Sequence, residues 1–184
     1  DIYTNTEYTY TDGVVTSYKE TEFQNWYSYE EPYSATEYTL SYNAQGQLET
    51  ITDVDGNGGR TITFSYDEEG RLVKKERTYY FVWDNPRVDF VDYSLEYAYD
   101  ANGNCISETD YAIVEGEKTA KSVKQYFYDE SIAAEKAYVF AYPYEVKPAQ
   151  ANVLVKTVAY NANQDEYTTE TYVYNPEIAE DAIL

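Results

Sequence analysis

A tyrosine followed by Asp or Asn, with glycine three residues beyond, recurs along this chain and commits it to β-hairpins. The clearest copy is Ile62-Thr63-Phe64-Ser65-Tyr66-Asp67-Glu68-Glu69-Gly70-Arg71-Leu72. Its sister is Tyr38-Thr39-Leu40-Ser41-Tyr42-Asn43-Ala44-Gln45-Gly46-Gln47-Leu48, and a third runs from Tyr93 through Tyr99-Asp100-Ala101-Asn102-Gly103. Weaker copies sit at Tyr128-Asp129 and Tyr160-Asn161, and a shortened one opens the chain at Tyr10-Thr11-Asp12-Gly13. In each clear copy large residues alternate with Thr or Ser, the period of a strand with one covered face. The Asp or Asn begins a type I turn and bonds backbone amides, and the Gly supplies positive φ for a three-residue hairpin with its bulge. Leu48 and Leu72 then restart the covered face.

A lone hairpin is marginal in water, so the units must pair edge to edge. The opposite hairpin ends fall near residues 25–33, 55–59, 83–87, 115–117 and 142–152, marked by Gly, Pro or Asn. Together the two sets of turns predict an all-β, up-and-down antiparallel meander of about twelve strands in one domain, residues 1–184. Twist and the cost of open edges favour a closed or flattened barrel, with an open curled single sheet as the alternative. Composition agrees. The 25 Tyr suit a half-buried pleated surface.

Charge and residue types narrow the chemistry. A formal charge of −21 repels nucleic acid and anionic membrane surfaces. With no His and one Cys, structural zinc, histidine-dependent triads and internal disulfides are excluded. Cys105 reads as a buried, inert thiol. No apolar run approaches the length of a membrane helix. With 34 acidic residues, a pair of carboxylates at glycosidase spacing is expected by chance, and no enzyme is predicted.

The stretch Tyr66-Asp67-Glu68-Glu69-Gly70-Arg71-Leu72 resembles the YD repeat of bacterial Rhs proteins and teneurins, with Tyr42 to Leu48 and Tyr99 to Gly103 as poorer copies. In a chain this short and acidic, the pattern also resembles small secreted lipoproteins of unknown function from gut Bacteroides-type bacteria, one family of which is described as porin-like. That resemblance implies a secreted or cell-envelope location, without known catalytic residues. The chain starts at Asp1 rather than Met, which fits removal of a signal segment and attachment through a lipid anchor.

Two constellations are candidate sites. Asp53-Val54-Asp55-Gly56-Asn57-Gly58 matches the first half of an EF-hand loop, with Asp53, Asp55 and Asn57 offering oxygens to Ca²⁺. The twelfth position is Phe64 instead of Glu, so any calcium binding is predicted to be weak, and the competing reading is a plain hairpin turn. Aromatic residues gather at the irregular hairpin ends: Trp26 and Tyr29, Trp83, and Tyr142 with Tyr144. They read either as a ligand-binding rim or as a plug of apolar side chains. The leading expectation is a non-catalytic secreted or envelope module that binds a glycan or other ligand at this rim. The alternative is a structural or protein-interaction surface protein with no small ligand.

Overall fold

The structure, a computed structural model, describes residues 2–24, 32, 34–55, 58–81, 88–133 and 147–172. Among these residues there are eleven strands and no helix. They are β1 (Ile2–Thr11), β2 (Val14–Gln24), β3 (Ser34–Tyr42), β4 (Leu48–Asp55), β5 (Gly58–Tyr66), β6 (Leu72–Phe81), β7 (Phe90–Tyr99), β8 (Cys105–Val114), β9 (Glu117–Ala133), β10 (Asn152–Asn161) and β11 (Glu166–Thr171). All belong to one sheet, paired in chain order from β1 to β11.

Four of the six repeats make one and the same turn. In each, the amide of the Gly-position residue donates to the carbonyl of the Asp or Asn: Gly46 to Asn43, Gly70 to Asp67, Gly103 to Asp100 and Gln164 to Asn161. The Asp or Asn amide donates in turn to the carbonyl four residues on, at 2.9–3.0 Å. Its side chain closes the loop, as when Asp100 Oδ1 accepts from the amides of Asn102 at 2.9 Å and Asn104 at 2.8 Å. The glycines take φ between 78° and 90°, as a three-residue hairpin requires. Gln164 holds φ of 65° in their place. The shortened copy is a two-residue turn, with Asp12 and Gly13 both at positive φ.

The bulge is equally regular. Register shifts fall just before Tyr10, Tyr42, Tyr99 and Tyr160, so that Thr16, Glu49, Ile106 and Tyr167 are skipped by the ladder. A bulge disturbs local pairing and leaves main-chain groups in need of partners. The tyrosine of a later repeat supplies one. Tyr42 Oη donates to Val15 O at 2.6 Å, Tyr99 Oη to Leu72 O at 2.6 Å, and Tyr128 Oη to Cys105 O at 2.7 Å. Each acceptor lies two residues past the turn glycine, and all three acceptor residues are buried. The hydroxyl thus explains why the repeat carries Tyr where Phe would fill the same space.

Two expectations need correction. The Tyr128-Asp129 copy has no glycine, and it does not turn back: β9 continues to Ala133 and pairs with β10. Asp129 still bonds the Ser131 amide at 2.9 Å, but the result is an irregularity in register instead of a hairpin. Eleven strands are thus seen among the described residues, where about twelve are expected. Nor does the sheet close into a barrel. The strand order is linear, with β1 and β11 at its two ends, which is the open single sheet held as the alternative. The last strand, β11, is short and fully exposed, with Glu166 and Glu170 in it. Short, charged strands tolerate an open edge without closure.

Contacts group the residues into two compact units, one of residues 1–64 and 77–91, the other of residues 65–76 and 92–184. In the first, Val15, Tyr18, Leu40, Leu48, Ile51 and Phe64 are buried. A straight cross-strand row runs Tyr8–Tyr18–Tyr38–Asp53–Arg60 from β1 to β5. In the second, the buried apolar residues are Leu72, Cys105, Val153, Val158 and Ala159, joined by the polar Ser94, Asn104 and Thr157.

Candidate functional site

The site best defined among the described residues lies in the second unit, where β9 and β10 meet the segment of residues 147–151. Alternation along β9 places Tyr126 and Tyr128 on one face, and Leu154 of β10 stands opposite Tyr128. Cys105 opens β8 behind them, its carbonyl already held by Tyr128.

The segment 147–151 has no regular structure of its own, yet it is fixed at several points. Ala149 O accepts from the Cys105 amide at 2.9 Å, and the Ala149 amide donates to Tyr99 Oη at 3.3 Å. Asn104 is the anchor. It is fully buried; its Oδ1 accepts from the Ala151 and Asn152 amides, each at 2.8 Å, and its Nδ2 donates to Asn152 Oδ1 and Asp100 Oδ2. Asn152 Nδ2 reaches across to Glu130 O at 3.1 Å. Buried polar groups so fully satisfied rigidify what they join.

Between this wall and the tyrosines is a cleft of about 410 Å³, lined by Cys105, Tyr126, Tyr128 and Leu154 on the sheet side and by Lys147, Pro148 and Gln150 on the other. Its volume falls within the roughly 300–1,000 Å³ of small-molecule sites, and its make-up, apolar walls with a few polar groups, is theirs too. Burial raises the pKa of Tyr126 and of Tyr128, so both phenols stay protonated. Burial likewise pushes the Cys105 thiol up to about 12, which removes thiolate chemistry at neutral pH. The cleft offers flat aromatic surface, one ammonium and one carboxamide.

The residues singled out in the sequence fare differently. Asp53 is buried and gripped by Arg60: Nε reaches both carboxylate oxygens at 3.1 Å and Nη2 reaches Oδ2 at 2.9 Å. Asp53 and Asp55 both lie in β4, and Asp55 pairs with Gly58 across a two-residue connection. Gly58 has a packing reason of its own, since a Cβ there would sit 2.0 Å from Tyr80 O. Asn57 and the Asp55 side chain lie outside the described residues, as do Trp26, Tyr29, Trp83, Tyr142 and Tyr144. Among the described residues no group of three or more Cys, Asp or Glu gathers in a metal-binding arrangement, and no helix is long and apolar enough to cross a membrane.

The cleft residues escaped the sequence reading because Tyr126 and Tyr128 read there as an ordinary repeat strand. The missing glycine after Asp129 was the available signal that this hairpin differs.

The chain is similar in structure to a crystallised protein of unknown function from Bacteroides fragilis NCTC 9343, with 12% identity over 94% of this chain and 92% of that one, at a TM-score of 0.40. No protein-family model matches the chain, and no curated protein does.

Proposed function

We propose that this chain is a non-catalytic binding module, secreted or held at the cell envelope by a lipid anchor, that takes the flat face of a glycan in the cleft over Tyr126 and Tyr128. The observation that carries the reading is the cleft itself: a wall pinned through Asn104 faces two tyrosines that share one face of β9. A pyranose has an apolar C–H face that packs on an aromatic ring and a rim of hydroxyls that need donors and acceptors. Gln150 provides both, and Lys147 a donor. Because the wall is already ordered, binding costs little rearrangement. The location rests on the resemblance to small secreted lipoproteins. Tyr142 and Tyr144 precede Lys147 in the same connection, so this cleft adjoins in sequence one of the three aromatic groups of the expected rim.

The test is a glycan array read with the parent and with Tyr126→Ala. The parent should retain a defined set of glycans, and Tyr126→Ala should weaken each by at least about tenfold, as loss of a tyrosine anchor does. An array without hits, or a variant that binds like the parent, contradicts the reading.

A further inference from the structure

Given the cleft over Tyr126 and Tyr128 as a glycan site, on which this rests, the geometry points to an N-acetylhexosamine as the sugar it selects, with the acetamido carbonyl accepting from the Tyr126 hydroxyl.

The tyrosines around the cleft have committed their hydroxyls. Those of Tyr99 and Tyr128 donate to main-chain carbonyls, that of Tyr97 bonds Glu108, and that of Tyr172 donates to Glu170. Tyr126 differs. It is half-buried, it lines the cleft, and among the described residues its Oη has no hydrogen-bond partner. Burial raises the pKa of the phenol, so the proton stays on the oxygen and is available to donate. A donor taken out of water without a partner costs stability, and an acceptor on a ligand restores the bond that burial removes.

The rest of the lining completes the set. Gln150 is exposed at the pinned wall, and its carboxamide, which makes no hydrogen bond among the described residues, accepts an N–H and donates to a hydroxyl. Pro148, Leu154 and the sulfur of Cys105 give apolar surface, the thiol itself being turned to Ser107 O at 3.4 Å. An acetamido group carries a carbonyl, an N–H and a methyl on one planar unit, and phenol, carboxamide and apolar surface are their counterparts. A sugar with hydroxyls alone brings no methyl to Pro148 and Leu154. A volume of about 410 Å³ is at the small end of ligand sites and suits one substituted ring.

Charge turns acidic sugars away. Glu108 acts on Tyr126 and Asp100 on Tyr128; Glu108 and Glu170 share Lys124, and Lys147 joins the lining. Three carboxylates against two ammoniums, in a chain of charge −21, repel an anion. All three carboxylates already accept from groups of the fold, so none is left bare to call for an amine. The acetamide is polar and uncharged.

Amide-shift titrations of the parent with the methyl glycosides of N-acetylglucosamine, N-acetylgalactosamine, glucose and galactose test this. At least one N-acetyl glycoside should bind at least about tenfold more tightly than its plain counterpart, as one hydrogen bond from a desolvated donor allows. Tyr126→Phe keeps the ring and removes a hydroxyl that nothing in the fold uses, so it should melt with the parent and bring the two dissociation constants together. Gln150→Ala, at an exposed position, should narrow the same gap. No preference among the four glycosides, or a preference that survives Tyr126→Phe, would overturn the assignment while array hits lost in Tyr126→Ala still upheld the glycan site. A blank array together with no shift from any of the four would remove the site and the assignment together.

Discussion

The Tyr99 hydroxyl donates to the Leu72 carbonyl at 2.6 Å, from the start of one repeat turn to the end of the preceding one. The same link joins Tyr42 to Val15, also 27 residues apart. Pairing between neighbouring strands is thereby supplemented at three of the turns, where the repeat is a latch as well as a turn. Burial holds the Tyr99 phenol protonated, pushing its pKa up to about 12, so the donor persists over any ordinary pH. Tyr99→Phe should therefore cost about 1–2 kcal/mol, leaving a buried carbonyl unpaired. In a chain this size that lowers the melting temperature by roughly 2–8 °C. A variant melting with the parent would reduce the hydroxyl to an incidental contact.

Gln164 occupies the place that glycine holds in three sister turns, and it pays for a φ of 65°. An L-residue in that region is disfavoured by about 1–2 kcal/mol. Gln164→Gly should accordingly stabilise the chain, whereas Gly70→Val, at φ of 79°, should destabilise it by more than that. Denaturant midpoints of the two variants should move in opposite directions. Movement in the same direction would mean the four turns are not equivalent.

Asn104→Ala should be among the most damaging single changes, costing about 3 kcal/mol or more, because it orphans several buried groups at once. Its distinguishing sign is local. Amide exchange at Ala151 and Asn152 should accelerate even in conditions where the rest of the fold survives. Uniform acceleration across the second unit would argue that Asn104 serves general packing.

Much of this fold could be read from single residues, because hairpin turns are local chemistry. Asn43, Asp67 and Asp100 bond their own loops, and Gly46, Gly70 and Gly103 take the backbone region open to them. Closure was not legible in the same way. It depends on whether β1 meets β11, a relation between the two ends of the sheet that no short motif encodes. The continuation of β9 past Asp129, with its register irregularity, followed from one missing glycine set against a good Tyr-Asp match. At the candidate site, Asp53 resembled a cation ligand because its own loop carries the right spacing, while its actual partner, Arg60, sits in the next strand. The cleft depends on contacts from Asn104 to residues about 47 positions away, which sequence spacing does not show.

Glu108 gives the fold a pH dependence. It stands between Tyr97 and Lys124 in the ladder, and burial raises its pKa by more than Lys124 and Tyr97 lower it. The folded chain therefore keeps this proton to higher pH than the unfolded chain does. Its contribution to stability is present in full below the unfolded value, roughly 4.3, and is lost as pH rises through the folded one. Glu108→Gln should melt above the parent at pH 7, with the gap closing below about pH 4. A gap that is constant across pH would place the effect in packing instead of ionisation.

The central claim, that the cleft over Tyr126 and Tyr128 is where this module meets its ligand, is tested most directly by mapping amide shifts in ¹⁵N-labelled parent protein as an array-selected glycan is added. Shifts should concentrate at Tyr126, Tyr128, Gln150 and Leu154 and saturate together with one dissociation constant. Saturable shifts confined to Trp26, Trp83 and their sequence neighbours, with those four amides unmoved, would contradict it.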